Sequence, residues 1–146
     1  MTQKLRILVP IPPEGLLDDV RNALEALGPA HLELLAVVPA QTRVNPHTTL
    51  PDDAFEEARW GEDRRQSEQV LEQISLSASA VSRLVERGDP AEQIVARARD
   101  GEFDFIVMAT RGNAGLKRMV LGSVTDEVVR TAPCPVVVVP PRSAAA

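Results

Sequence analysis

Two short apolar runs, FIVMA at residues 105–109 and VVVV at 136–139, constrain this chain more than any other feature. Neither alternates with polar residues, so neither suits a strand with one wet face; near-continuous apolar strands belong to a sheet covered on both faces. The segments between such runs supply the cover. LRILVP at 5–10 is a β-type run, and Leu16, Leu17, Val20, Ala23, Leu24 and Leu27 then recur at helical spacing until Gly28-Pro29 stops them. Residues 31–38 (HLELLAVV) read as a second strand, 54–74 as a helix and 79–85 as an alternating third strand. Asp89 and Pro90 then open a helix, with Asp89 at the N-cap, Glu92 in the first turn and Ala91, Ile94, Val95 and Ala98 on the buried face. Residues 103–109 form a fourth strand, 124–131 a helix closed by Pro133, and 136–139 the fifth strand.

Strands alternating with helices predict an α/β fold: a doubly wound, five-stranded, Rossmann-like parallel sheet with right-handed crossovers. The length of 146 residues fits one domain, and a chain of about 150 residues buries roughly 68–70% of its unfolded surface. That domain is expected over residues 1–140, with 141–146 a loose tail. Two segments stand apart. The 39–53 connection, rich in Pro, Thr and Asn, is long enough to be a lid or a disordered stretch. The 54–74 helix is almost wholly charged in its first half, and Val70, Leu71 and Ile74 predict anchorage at its C-terminal half only. Trp60, in the charged half, reads as a packing residue, with an interface as the alternative.

Charge and composition narrow the function. A formal net charge of −5, a pI near 5.1 and the absence of tyrosine argue against nucleic acid, which is held by clustered Lys and Arg and by aromatic stacking. No run approaches the ~20 apolar residues of a membrane span, and MTQKLRILVPIPPEG contains no small-residue cleavage site, so a cytoplasmic protein without membrane partners is expected. The single cysteine, Cys134, permits no internal disulfide and reads as a small buried hydrophobe at the start of a strand. His31 and His47 are too isolated for a metal pair or a triad. No G-x-x-x-x-G-K-[ST] occurs, so the lysine and hydroxyl of a P-loop are missing and no catalytic residue is assigned.

Against this acidic background, ATRGNAGLKRMVLGSV at 109–124 concentrates three of the eight glycines with Arg111, Lys117 and Arg118. In a doubly wound sheet the ligand crevice lies at the carboxyl ends of the strands, where the strand order reverses. The loops to watch therefore follow the first and fourth strands, PIPPEG and TRGNAGLKRMVLGS. Gly112 and Gly115 allow positive φ or a close backbone approach, and Gly122-Ser123 sits where a helix begins with its N–H groups free. Such a terminus is an anion site. The same residues also fit a capping box, in which Ser123 and Asp126 satisfy the helix's own N–H groups. Spacing alone leaves both readings open.

The ordered set ILVPI, GDPAEQI, FDFIVMATRG, LGSVTDEVV and PCPVVVV closely resembles the universal stress protein family over almost the whole chain. Nucleotide-binding members carry G-x2-G-x9-G-[ST] after the fourth strand; here Ala109-Thr110-Arg111-Gly112, nine residues, then Gly122-Ser123 fall in that register. The resemblance implies strand order 3-2-1-4-5, a homodimer and, in some members, bound ATP. Carried across by position, Gly112, Gly122 and Ser123 would contact the phosphates with Val124 and Thr125 close by, Pro10 and Met108 would line the crevice, and Val37 would present its backbone to adenine. Two positions depart from the pattern. Ala109 replaces the first motif glycine, and Pro12-Pro13 replaces an Asp-Gly whose carboxylate faces the nucleotide; Glu14 follows two positions later, as a substitute or as an exposed loop residue. A hydrogen bond to a charged group contributes about 1.5–3 kcal/mol, or roughly 10- to 150-fold in affinity, so losing the Asp weakens binding without abolishing it. The Ala109 methyl is harmless or obstructive according to its φ.

Three functions follow: a dimeric ATP-binding stress protein, with Mg2+ as a possible companion; a nucleotide-free interaction module; or a weak adenine-nucleotide hydrolase. The homodimer is expected through the last strand, because an uncovered Val136, Val137, Val138, Val139 edge invites aggregation.

Overall fold

The computed structural model describes residues 3–40, 53–110 and 121–140, with nothing stated of the side chains of 53–55. Gly112, Gly115, Arg111, Lys117, Arg118, His47, most of the 39–53 connection and the 141–146 tail lie outside the described residues. Nine elements alternate along the chain: β1 (Leu5–Pro10), α1 (Asp18–Leu27), β2 (Ala30–Val38), α2 (Asp53–Glu72), β3 (Ala80–Arg87), α3 (Pro90–Asp100), β4 (Phe105–Ala109), α4 (Ser123–Thr131) and β5 (Val136–Val139). All strand pairs are parallel, in the order β3-β2-β1-β4-β5. Rossmann-like doubly wound α/β is thus the fold.

Alternation along the strands splits the interior into two cores. Ile7, Val9, Leu34 and Val107 meet Val20 and Leu24 of α1 and Leu71 of α2 on one face. On the other, Leu8, Leu35, Ile106 and Met108 meet Ile94 and Ala98 of α3 and Val128 of α4. The centres of β1 (Ile7, Leu8, Val9) and β4 (Ile106, Val107, Met108) are therefore dry on both faces, which is why they read as apolar runs, while Arg6 of β1 stays exposed.

Several boundaries moved for identifiable reasons. α1 starts at Asp18, because Leu17 takes an extended conformation (φ −75°, ψ 145°) and stays exposed, while Leu16 packs onto the core. Asp18 and Asp19 then occupy the first turn, where acidic groups favour the helix dipole. β3 runs on to Arg87, and α2 stops at Glu72. That end is held by Arg83 of β3, whose guanidinium donates to the carbonyls of Leu71 and Ile74 at 2.8 Å each. α2 is also tied down in its first half, contrary to expectation. Arg87 lies 5.5 Å from the centre of the Trp60 ring and 3.8 Å from Glu56, so a cation–π contact and an ion pair replace the missing apolar stripe.

α3 opens as its sequence predicts: Asp89 accepts the Glu92 N–H at 3.0 Å, with Pro90 at the first helical position. Beneath it lies a polar pair that periodicity had not signalled. Glu33, on β2, is buried at 8% exposure and receives both arms of Arg97 from α3 at 2.8 Å. Arg97 (5.8 Å) and Arg6 (5.3 Å) both lie over the Phe103 ring, so one aromatic ring carries two cation–π contacts. Cys134 is half-buried against the α3/α4 core, and burial, with a smaller contribution from Asp104, pushes its thiol up from its ordinary value. It is a packing residue. No described helix is long and apolar enough to cross a membrane.

Candidate functional site

The strand order reverses between β1 and β4, so the crevice opens at their carboxyl ends. Pro10 ends β1, Val37 is the last but one residue of β2, Met108 and Ala109 end β4, and α4 begins just beyond at Ser123. Chain topology thus gathers Pro10, Val37, Met108, Gly122, Ser123, Val124 and Thr125 at one end of one sheet, although they lie far apart in sequence. Gly112 alone of the residues assigned from the sequence lies outside the described residues.

Register sets the orientation of the Val37 backbone. The β1–β2 ladder stops at Pro10 and Leu35, and Ile11 N–H closes it on the Leu35 carbonyl at 2.8 Å. Backbone polar groups along a strand alternate between its two neighbours. Leu35 faces β1, and Val38, whose carbonyl accepts from Gly88 N–H at 3.0 Å, faces β3. Val37 therefore turns its N–H and carbonyl toward the β1 side, beyond the last paired residue of β1. A donor and an acceptor set side by side there match the edge of a nucleobase.

At the start of α4, the capping box is overturned. Gly122, not Ser123, is the N-cap of α4, and no side chain caps that helix. Ser123 is displaced to the first helical position, and Asp126 pairs with Arg130 at 3.1 Å instead of reaching back. Asp126 N–H takes the Gly122 carbonyl at 2.9 Å, which makes Ser123, Val124 and Thr125 the residues whose N–H groups precede the first intrahelical bond. Thr125 is buried, and its hydroxyl donates to the Ala109 carbonyl at 3.3 Å. That bond staples the first turn of α4 to the end of β4. Val124 packs on the α3/α4 core, as do Val37 and the buried Met108.

Gly122 has no internal reason to be glycine. Its φ of −59° and ψ of 159° suit any residue, and among the described residues a Cβ there would meet nothing within 4 Å. Ala109 is equally informative. Among the described non-glycine residues only Glu102 has positive φ, so Ala109 does not need a glycine, and its methyl packs toward the α1/α2 core, away from α4. Pro12-Pro13 form a turn closed by Gly15 N–H on the Pro12 carbonyl at 2.9 Å, with Gly15 at φ 96° and Glu14 exposed. Sequence reading missed one buried polar residue here, Thr110, because burial of a hydroxyl next to a glycine loop leaves no periodic signal.

A model of the universal stress protein family matches residues 5–140. The chain belongs to that family. A universal stress protein of Methanothermobacter thermautotrophicus is 33% identical over 137 residues, 88% of this chain and 90% of that one. Other matches are partial: the aligned stretches span 31%, 63% and 48% of the lengths of the universal stress proteins MJ0531 of Methanocaldococcus jannaschii, YxiE of Bacillus subtilis and MJ0577 of Methanocaldococcus jannaschii. The solved structure of MJ0577 superposes with a TM-score of 0.77 at 24% identity, covering 98% of this chain and all of that one. Three universal stress proteins solved with nucleotides share the fold. One holds AMP, from Arabidopsis thaliana (TM-score 0.61, 20% identity, 96% and 93% coverage). Another holds dAMP, from Archaeoglobus fulgidus (0.53, 18%, 92% and 97%), and a third holds cAMP (0.56, 18%, 92% and 96%).

Proposed function

We propose that this universal stress protein is an adenine-nucleotide binding module that takes ATP in the crevice between the ends of β1, β2 and β4. The observation that carries the reading is the uncapped start of α4: a glycine required by neither its φ nor its neighbours, beside N–H groups that precede the helix's first bond. Adenine is placed against the Val37 backbone over Pro10 and Met108. The phosphates go to the backbone of Gly122, Ser123, Val124 and Thr125, with Gly112 completing the cradle. The nucleotides held by three family members support the adenine part of this reading.

Mg2+ accompanies ATP chiefly on its phosphates and water, the usual way this ion is held; no cluster of three or more metal-binding side chains occurs among the described residues. The function is regulatory binding in the cytoplasm, with hydrolysis slow at most, since the sequence offers no recognisable base for activating water. A second copy pairs through β5. Its four valines are all half-buried at the sheet edge, and a two-fold partner protects such an edge from open-ended association.

Calorimetric titration of ATP with Mg2+ into protein freed of co-purified nucleotide tests the reading. Saturable binding at a single site per subunit is expected. Nucleotide-free protein that takes up no adenine nucleotide would leave the fold as an interaction module, with α4 starting at Gly122 for structural reasons only.

A further inference from the structure

Gly61 is the unexplained residue of α2. It stands in the interior of a 20-residue helix, where glycine is less favourable than any residue but proline. Its φ is not positive, and a Cβ there would meet no atom of the described residues within 4 Å, so neither conformation nor close approach calls for glycine.

The two sides of Gly61 are held by different physics. After it, Val70, Leu71 and Ile74 enter the α1/α2 core, and Arg83 donates to the Leu71 and Ile74 carbonyls. Before it, the half-buried Trp60 belongs to neither core. Its ring takes the Arg87 guanidinium at 5.5 Å, and that guanidinium also pairs with Glu56 at 3.8 Å, each side chain 32% exposed. Arg59 reaches Asp63 at 3.7 Å across Gly61 itself. A cavity of about 30 Å3 lies between this half-helix and Val38 and Pro39 at the end of β2, so the seam is not close-packed.

Salt separates the two halves. The Debye length falls from about 30 Å at 0.01 M ionic strength to about 3 Å at 1 M, which screens exposed pairs such as Arg87–Glu56. Burial of Leu71 and Ile74 does not depend on charge. A small residue between a fixed and a weakly held segment is where a hinge absorbs its change of angle.

We propose that the first half of α2 is a hinged arm, pivoting at Gly61 and latched by Arg87 onto Trp60 and Glu56, that rising ionic strength releases. Arg87 is the register partner of Val38, so the switch sits at the carboxyl ends of β2 and β3. It needs no nucleotide.

Trp60 is the sole tryptophan of a chain without tyrosine, so its emission reports the latch alone. Quenching by neutral acrylamide in low and high sodium chloride, with far-UV circular dichroism of the same samples, tests the switch in the full chain without nucleotide. At high salt the parent's emission is expected to shift to the red and its quenching constant to rise, with helix content retained. Arg87→Gln is expected to show the high-salt values at low salt and to ignore further salt. Glu56→Gln, which loses only the ion pair, is expected to open at lower salt than the parent. Gly61→Ala is expected to blunt the response, because alanine stiffens the pivot. Parent quenching that salt leaves unmoved overturns the switch, as does an Arg87→Gln protein, or Glu56→Gln should that one misfold, that matches the parent at every salt concentration. A full response in the alanine variant, or loss of helical signal in step with Trp60 exposure, overturns Gly61 as the pivot and leaves the latch.

Discussion

Gly122→Val is expected to lower affinity for ATP by roughly 100-fold or more while the protein remains folded. Both halves follow from the geometry at the start of α4. The backbone at Gly122 lies where valine is comfortable, and its Cβ would meet no atom of the described residues within 4 Å, so the described core is not crowded. The branched side chain would occupy the approach to the N–H groups of Ser123 and Val124. Losing two charge-assisted hydrogen bonds of about 1.5–3 kcal/mol each gives the predicted fall at 1.4 kcal/mol per tenfold. Folding suffers little: glycine is an acceptable N-cap and valine a poor one, a difference of about 1 kcal/mol. Titration calorimetry and a thermal scan of the same preparation read both quantities. Unchanged affinity would remove the phosphates from this helix.

Arg97→Met is expected to destabilise the fold by about 2 kcal/mol, a fall of roughly 4–8 °C in the thermal midpoint for a chain of this size. Its guanidinium satisfies both oxygens of Glu33, whose side chain is only 10% exposed, and removing it strands a carboxylate under α3. A fully buried pair would cost more, about 3–5 kcal/mol on losing one partner, but Arg97 is a third exposed and water reaches the site from its side. The hydrogen bonds that Arg97 donates to Glu33 raise the Arg97 pKa above its ordinary value. For a cation the stabilisation is therefore present below that ordinary value and lost only above the raised one, so the deficit is expected to be the same at neutral and mildly alkaline pH. Replacing Glu33→Leu as well removes the stranded charge and is expected to restore most of the loss. A double variant as unstable as the single one would show that the contact of Arg97 with Phe103, not its bond to Glu33, carries the effect.

What the sequence reveals and what it conceals divide along physical lines. The strands were legible because β4 and β5 are apolar without a break and β1 is interrupted only by Arg6, and α3 because Asp89 and Pro90 stand in the order a helix start requires. Interactions between distant segments were not legible. Arg97 and Glu33 are 64 residues apart, and Arg83 reaches α2 from the next strand. Neither leaves a periodic trace. The start of α4 misled for a different reason: Ser123 and Asp126 have the spacing of a capping box, yet the Thr125 hydroxyl bonds the end of β4, and the helix begins one residue earlier than that box requires. Local spacing yielded to a tertiary contact. At Ala109 the gap was one of conformation, since only the backbone angle tells whether the methyl obstructs the loop.

The central claim is that adenine nucleotide sits with its phosphates on the first turn of α4 and its base against Val37. Titrating ATP into 15N-labelled protein and following backbone amide resonances tests it most directly. The account predicts that the amides of Gly122, Ser123, Val124 and Thr125 move together with that of Val37, saturating at a single site per subunit. Saturable binding that leaves those amides in place and shifts others, such as those around Trp60 and Arg87, would contradict it.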